Sequence, residues 1–300
     1  MIRRRMVLAA VLAAAAFGTA AVAEKPPLRT LTVPGIPVEI LGRSFQPGEV
    51  LLARLGDDPA VRRVSVRWLG QVRMLEPADR GGLPFGLFGL DLGLKAGSFP
   101  LEVKAEWTDG RTAAAKPEVA IEPKEFPSTR LSVAPNMVTP PREEQERIKR
   151  EQELVAAVLG VVSPDWLADG AFISPLEAFE PFPNFGQRRI YNNAVSSVHA
   201  GVDIGAPWGT PAKAPNSGRV VLASHLYLSG WTVIIDHGRG VFSYACHFAE
   251  LLVKRGDLVR KGEVIARVGS TGRSTGPHLH WSVRVGASRV DPFSLTRLPF

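Results

Sequence analysis

The sequence is poor in cysteine, in histidine before residue 199, and in long apolar runs. With Cys246 alone there is no intramolecular disulfide, so the core must hold by packing. Only the first two dozen residues are apolar enough to suggest a membrane segment. They open on Arg3-Arg4-Arg5, run apolar from Met6 to Ala16 and close on Ala21-Val22-Ala23, a small-x-small pattern. An anchor needs ~20 strongly apolar residues, whereas this layout is that of an export signal cut after Ala23. Beyond it there is no basic run and no interleaving of basic and aromatic residues, which argues against nucleic acid as a partner. The formal charge of +7 falls to +4 once residues 1–23 and their three arginines are removed. Such an excess favours loose contact with anionic surfaces, cell-wall polymers among them, and selects no partner. The full chain of 300 residues, 45% hydrophobic and 22% charged, has the composition of a packed protein of two domains without internal repeats. No stable membrane span is expected after signal cleavage, and the chain is expected to be a monomer.

Periodicity divides the chain. From Lys25 to about Phe126 it has period two: Leu101, Val103, Ala105 and Trp107 alternate with Glu102, Lys104, Glu106 and Thr108, and Asp109-Gly110 supplies a hairpin turn. Val50 to Leu55 and Val64 to Met74 read as further strands of a small antiparallel sandwich without visible chemistry. Thr139-Pro140-Pro141 then introduces a helix over 141–159, with Thr139 as cap, proline in the first turn and Gly160 as stop. Glu143–Arg147, Glu146–Arg150 and Lys149–Glu153 are spaced as ion pairs, and Ile148, Val155 and Leu159 form a narrow stripe, as on a solvated connecting helix. A loop rich in proline and aromatics follows. From Phe185 onward short strands return: Val220–Leu222, Trp231–Asp236, Val241–Phe248, Glu263–Val268 and His280–Val285.

All six histidines, at 199, 225, 237, 247, 278 and 280, lie in this last part. His278-Leu279-His280 opens a strand, so both imidazoles share one face, with Cα atoms ~6.6–7 Å apart. His199 and Asp203 would stand ~13 Å apart on a straight strand, but Gly201 lets the chain bend and bring them together. Two histidines and a carboxylate with a fourth position open form a catalytic zinc set, and also that of non-haem iron oxygenases, so ligand type alone does not name the metal. His247 on Ser243–Phe248, with the HLH histidine left over, adds two non-ligand imidazoles suited to general acid/base work, which favours hydrolysis.

Three segments in order, FGQRRIYNNAVSSVHAGVDIGAPWGTPAKAPNSGRVV, VIIDHGRGVFSYACHF and GDLVRKGEVIARVGSTGRSTGPHLHWSVRV, resemble the lysostaphin-type (LytM-like) zinc metalloendopeptidases that cut peptidoglycan cross-bridges. The resemblance covers roughly Phe172 to Pro292, and more loosely the upstream sandwich resembles an N-terminal domain of some exported members. It implies His199, Asp203 and His280 as zinc ligands, His247 and His278 as catalytic histidines, and the peptide moiety of peptidoglycan as substrate. All five positions are kept, which favours an enzyme over the alternative, a non-catalytic wall-binding protein or activator of another hydrolase.

The implied architecture is mainly β: signal 1–23, N-terminal antiparallel sandwich 24–126, linker with helix 127–171, and a C-terminal antiparallel metallopeptidase sheet with a groove, 172–300. Where many members have tyrosine two residues before the internal histidine, this chain has Ala245. Simple alternation would place Ala245 beside His247 at the site and turn Tyr244 and Cys246 away. Asn193 stands at a position suited to left-handed backbone, His237 reads as structural, and His225 as a loop residue. Arg188-Arg189 is either a solvated pair or a contact for a substrate carboxylate.

Overall fold

The computed structural model describes residues 27–78 and 82–300, so the expected export signal, residues 1–23, lies outside the described residues. The alternating run becomes the strand Glu102–Trp107, with Val103, Ala105 and Trp107 buried, and it turns through Gly110 (φ +86°) to pair with Thr112–Ala115. These two join Val61–Trp68 and Gln71–Leu75 in one antiparallel sheet. A second sheet, ordered Arg29–Thr32, Val38–Gly42, Val50–Leu55, Phe85–Gly89, faces it across a core that includes Ile40, Leu51, Trp68 and Phe88. The Val64 to Met74 stretch is therefore a hairpin and not one strand. Its turn places Leu69 (φ +49°) and Gly70 (φ +75°) in left-handed backbone, and a leucine there is no turn signal.

Val50–Leu55 is apolar almost throughout because both its faces are covered. Leu51 and Ala53 point into the sandwich, whereas Val50 and Leu52, with Leu41 and Leu87, join the core of the C-terminal part. That part is a nine-stranded sheet whose main path runs Val202–Gly205, His278–Val285, Val241–Leu251, Gly230–Asp236, Gly218–Leu226, Leu258–Val259, every neighbour antiparallel. The five strands expected from sequence are all present, most of them longer. His225 lies in the strand Gly218–Leu226 rather than in a loop, paired with Trp231.

The linker does more than connect. Ser128–Leu131 runs parallel to Arg188–Tyr191, which pairs in turn with Val195–Val198, so a small sheet forms that the sequence did not announce. The helix spans Arg142–Leu159 with Gly160 as C-cap, but Pro141 occupies the N-cap position without a side-chain cap and Thr139 plays no such part. Arg147 pairs with Glu151 and Glu144 in place of the expected partners. Val155, Val158 and Leu159 lie on Leu222, Ile234 and Phe242, so the helix is seated on the C-terminal sheet. Among the described residues no helix is long and apolar enough to cross a membrane.

Candidate metal centre and groove

Sheet register assembles the centre. Asp203 on Val202–Gly205 stands directly opposite His280 on His278–Val285, so their side chains share a face. His278 is two residues earlier on that face, while Leu279, Trp281, Val283 and Val285 point into the core. His199 directly follows the strand Val195–Val198, and Ala200 and Gly201 carry the chain on from it to Asp203. At Gly201 the chain presses on its neighbour: a Cβ there would stand 2.6 Å from the Trp281 carbonyl oxygen and 2.7 Å from His280 Nε2. Only glycine allows this approach.

His199 Nε2, Asp203 Oδ1 and His280 Nδ1 converge, at 3.0 Å from His199 to Asp203 and 2.9 Å for each of the other two separations. The His199 Nδ1–H donates to the Asn184 carbonyl at 2.8 Å, which leaves Nε2 as a lone pair aimed at the carboxylate and at His280. Electron-rich atoms facing one another at such distances call for a cation between them, and the three residues could hold a metal ion. Asp203 is buried, which by itself would raise its pKa, but the imidazoles of His199 and His280 hold it well below the carboxylate range. Its other oxygen, Oδ2, accepts from Arg189 and, at 3.1 Å, from Asn184 Nδ2, while the Asp203 N–H donates to Asn184 Oδ1 at 3.1 Å. Asn184 thus orients both His199 and Asp203. Nothing in the proline-rich loop around it marked it in the sequence.

His247 and His278 stand beside this set with ring centroids 4.8 Å apart. Each donates its Nδ1–H at 2.8 Å to a backbone carbonyl, His247 to Thr271 and His278 to Gly276, so both turn an Nε2 lone pair toward the centre. His278 Nε2 is 3.7 Å from Asp203 Oδ1. Burial, with the neighbouring His278 and His280, pushes His247 down to about 3, so it is neutral at neutral pH.

The strand carrying His247 departs from simple alternation. Trp231 pairs with Phe248 and Val233 with Ala245, so two residues, Cys246 and His247, oppose Thr232 in a bulge, and His247 has φ +67°. The extra residue inverts the expected parity: Ala245 packs in the core, and Tyr244, Cys246 and His247 face the groove. Cys246 remains a buried thiol, its pKa raised by burial, and Tyr244 hydroxyl donates to Ser229 Oγ at 2.6 Å.

Two cavities meet at the centre. One of about 550 Å³ contains His199, His247 and His280 and is walled on one side by the helix through Glu151, Val155 and Leu159. The other, about 380 Å³, contains Asp203 and His278, and Arg189, Tyr191 and Arg273 line both. Of the remaining histidines, His237 is fully buried between the Ser217 carbonyl and Ser243 Oγ, as expected of a structural residue, and His225 is exposed. Asn193 is left-handed (φ +57°), also as expected.

Residues 197–292 match peptidase family M23. Over 98 residues the chain is 42% identical to the DD-carboxypeptidase/endopeptidase Mpg of Neisseria meningitidis serogroup B, covering 33% of this chain and 23% of that protein. Over 120 residues it is 36% identical to the peptidoglycan DD-endopeptidase ShyC of Vibrio cholerae serotype O1, covering 40% of this chain and 28% of that protein. The chain thus spans about a quarter of the length of these relatives. A solved M23-type structure from Pseudomonas aeruginosa superposes with a TM-score of 0.61 at 28% identity, covering 84% of this chain and 94% of that one. Such coverage takes the likeness past the C-terminal sheet into the upstream sandwich.

Proposed function

From the match of residues 197–292 to peptidase family M23, we propose that the chain is an exported zinc endopeptidase that hydrolyses peptide bonds in the peptide cross-links or stems of peptidoglycan. The observation that carries this is the convergence of His199 Nε2, Asp203 Oδ1 and His280 Nδ1 beside two imidazoles with inward lone pairs. The likeness to ShyC, a peptidoglycan DD-endopeptidase, supports the substrate.

In this reading His199, Asp203 and His280 hold the zinc. When bound, zinc polarises the scissile carbonyl and lowers the pKa of a water to ~7. The protein's own part is proton handling and orientation. A backbone-anchored imidazole, His247 or His278, takes a proton from the attacking water at Nε2 and then, as imidazolium, donates it to the leaving amine. Because each Nδ1–H is already committed to a carbonyl, either ring can donate to the developing oxyanion only once Nε2 has gained a proton. Arg189 and Asn184 occupy Asp203 Oδ2, which leaves Oδ1 directed at the metal position.

Residues 1–23 are the export signal in this proposal, 24–126 the sandwich domain, 127–171 the linker and 172–300 the peptidase domain. The deciding experiment is digestion of purified peptidoglycan with the released peptides read by mass spectrometry. We expect new peptide termini at cross-links or stems, abolished by chelator and restored by zinc. Full hydrolysis in strong chelator, or release of sugar fragments only, overturns the reading.

A further inference from the structure

We propose that Arg273 is a specificity-determining residue that receives a free carboxylate of the substrate peptide next to the scissile bond. This rests on the peptidase reading above and narrows its substrate to peptides that carry such a carboxylate, as opposed to amidated or neutral bridges.

Arg273 is half-buried with its guanidinium 4.2 Å from the centre of the Tyr191 ring. Among the described residues no carboxylate pairs with it, whereas Arg189, the other arginine lining both cavities, is already bound to Asp203. A guanidinium stacked on an aromatic ring has one face covered and its N–H edge free, a planar fork that matches a carboxylate with two parallel hydrogen bonds. Tyr191 removes part of the fork's freedom before any ligand arrives, which reduces the entropic cost of binding.

The loop that carries Arg273 is anchored to the catalytic groups. Its Thr271 carbonyl accepts from His247 and its Thr271 hydroxyl donates to the Phe248 carbonyl at 2.7 Å. The Arg273 N–H donates to the Leu228 carbonyl at 2.7 Å, and Ser274 Oγ lies 3.3 Å from His278 Nδ1. At Gly272 (φ +73°) a Cβ would come within 2.4 Å of Gly230 N, so the loop is packed too closely to swing away. Arg273 therefore holds a fixed place relative to both imidazoles. Any peptide that crosses the centre from one cavity to the other passes it, since Arg273 lines both. The acids lining these cavities are Glu151, engaged by Arg147 and the Tyr227 N–H, and Asp203 itself. The free charge presented to a peptide is positive.

The test uses matched cross-linked peptides, one with free carboxylates beside the scissile bond and one with each as the primary amide, with the zinc-loaded chain and its Arg273→Gln and Arg273→Lys variants. The unaltered protein is expected to favour the acid peptide in kcat/KM. Arg273→Gln is expected to lose about 10–100-fold more on the acid peptide than on the amide, mainly through KM, as for a charge-assisted hydrogen bond. Arg273→Lys keeps the charge without the fork and should fall between. Equal cleavage of the two peptides, a preference that survives in Arg273→Gln, or an equal loss on both, which a purely structural arginine would give, overturns the proposal. Calorimetric binding of the same peptides separates the two layers. If neither peptide is cut but the acid form binds more tightly through Arg273, the carboxylate site stands and the peptidase reading fails; equal binding with no cleavage removes both.

Discussion

His278 and His280 share a strand face, yet their surroundings differ, and the proposed roles differ with them. His280 Nδ1 lies 2.9 Å from both Asp203 Oδ1 and His199 Nε2, while His278 stands off at 3.7 Å and is tied to Gly276. His280→Ala should lose metal and turnover together. His278→Ala should keep near-stoichiometric zinc and lose activity by ~10²–10⁴. Elemental analysis with rate measurement decides it, because misfolding would treat the two alike and equal metal loss would mean the roles are misassigned. Asn184→Ala should weaken zinc binding ~10–100-fold while the fold persists, since it removes the hydrogen bonds to the Asp203 carboxylate and N–H; chelator competition reads this directly, and unchanged affinity would sink it. That His199, Asp203, His247, His278 and His280 come together was legible because residue type and spacing mark them in the sequence. Asn184 was not, because an amide that orients other groups uses hydrogen bonds any polar loop residue could offer, and its partners lie 15 and 19 residues away.

The strands were legible where alternation was clean, as in Glu102–Trp107, and the parity around His247 was not, because a bulge is a property of pairing between two strands and leaves no period in one of them. The same locality explains Gly201, whose role in bending the chain could be read in advance while the close contact behind it could not. Gly201→Ala would drive a methyl group into the Trp281 carbonyl and the His280 ring, a cost of ~1–3 kcal/mol if the backbone yields. The expected result is a folded protein with a lowered melting temperature and much reduced metal content; full zinc occupancy would contradict it. The helix offers a second test. It walls the larger cavity and is held by Val155, Val158 and Leu159, so Val155→Asp with Leu159→Asp should loosen that wall. Cleavage of intact peptidoglycan is then expected to rise relative to that of a small soluble peptide. A helix that only props the sheet would instead lower both rates.

The two halves of the described chain are joined by covered apolar residues and by directed bonds: Leu41, Val50, Leu52 and Leu87 lie in the core of the C-terminal part, Asp91 pairs with Arg289 at 2.7 Å, and the Val50 N–H donates to Ser294 Oγ at 3.0 Å. Aromatic side chains from across the chain complete the joint, with Phe85 on Trp166 and on Phe300, and Phe172 on both Trp166 and Phe300. His237 lies against Phe172, ring centroids 5.0 Å apart, its Nδ1–H donated to the Ser217 carbonyl and its Nε2 accepting from Ser243. With the Ser243 hydroxyl as donor, both bonds suit a neutral imidazole. Burial pushes its pKa down to about 4, against the smaller opposing effects of the Ser217 carbonyl and of Asp236. The unfolded chain takes up a proton here near 6.5 and the folded chain does not until about 4, so the stabilisation is complete above 6.5 and is lost as pH falls through that window, on the order of 3 kcal/mol in all. His237→Gln removes this titration while leaving every other histidine in place. Unfolding free energies measured from pH 7 to 4, with chelator present throughout so that metal release does not contribute, should therefore fall more steeply in the unaltered protein than in the variant by up to one proton. Slopes that coincide would place the acid sensitivity elsewhere and leave His237 a packing residue only.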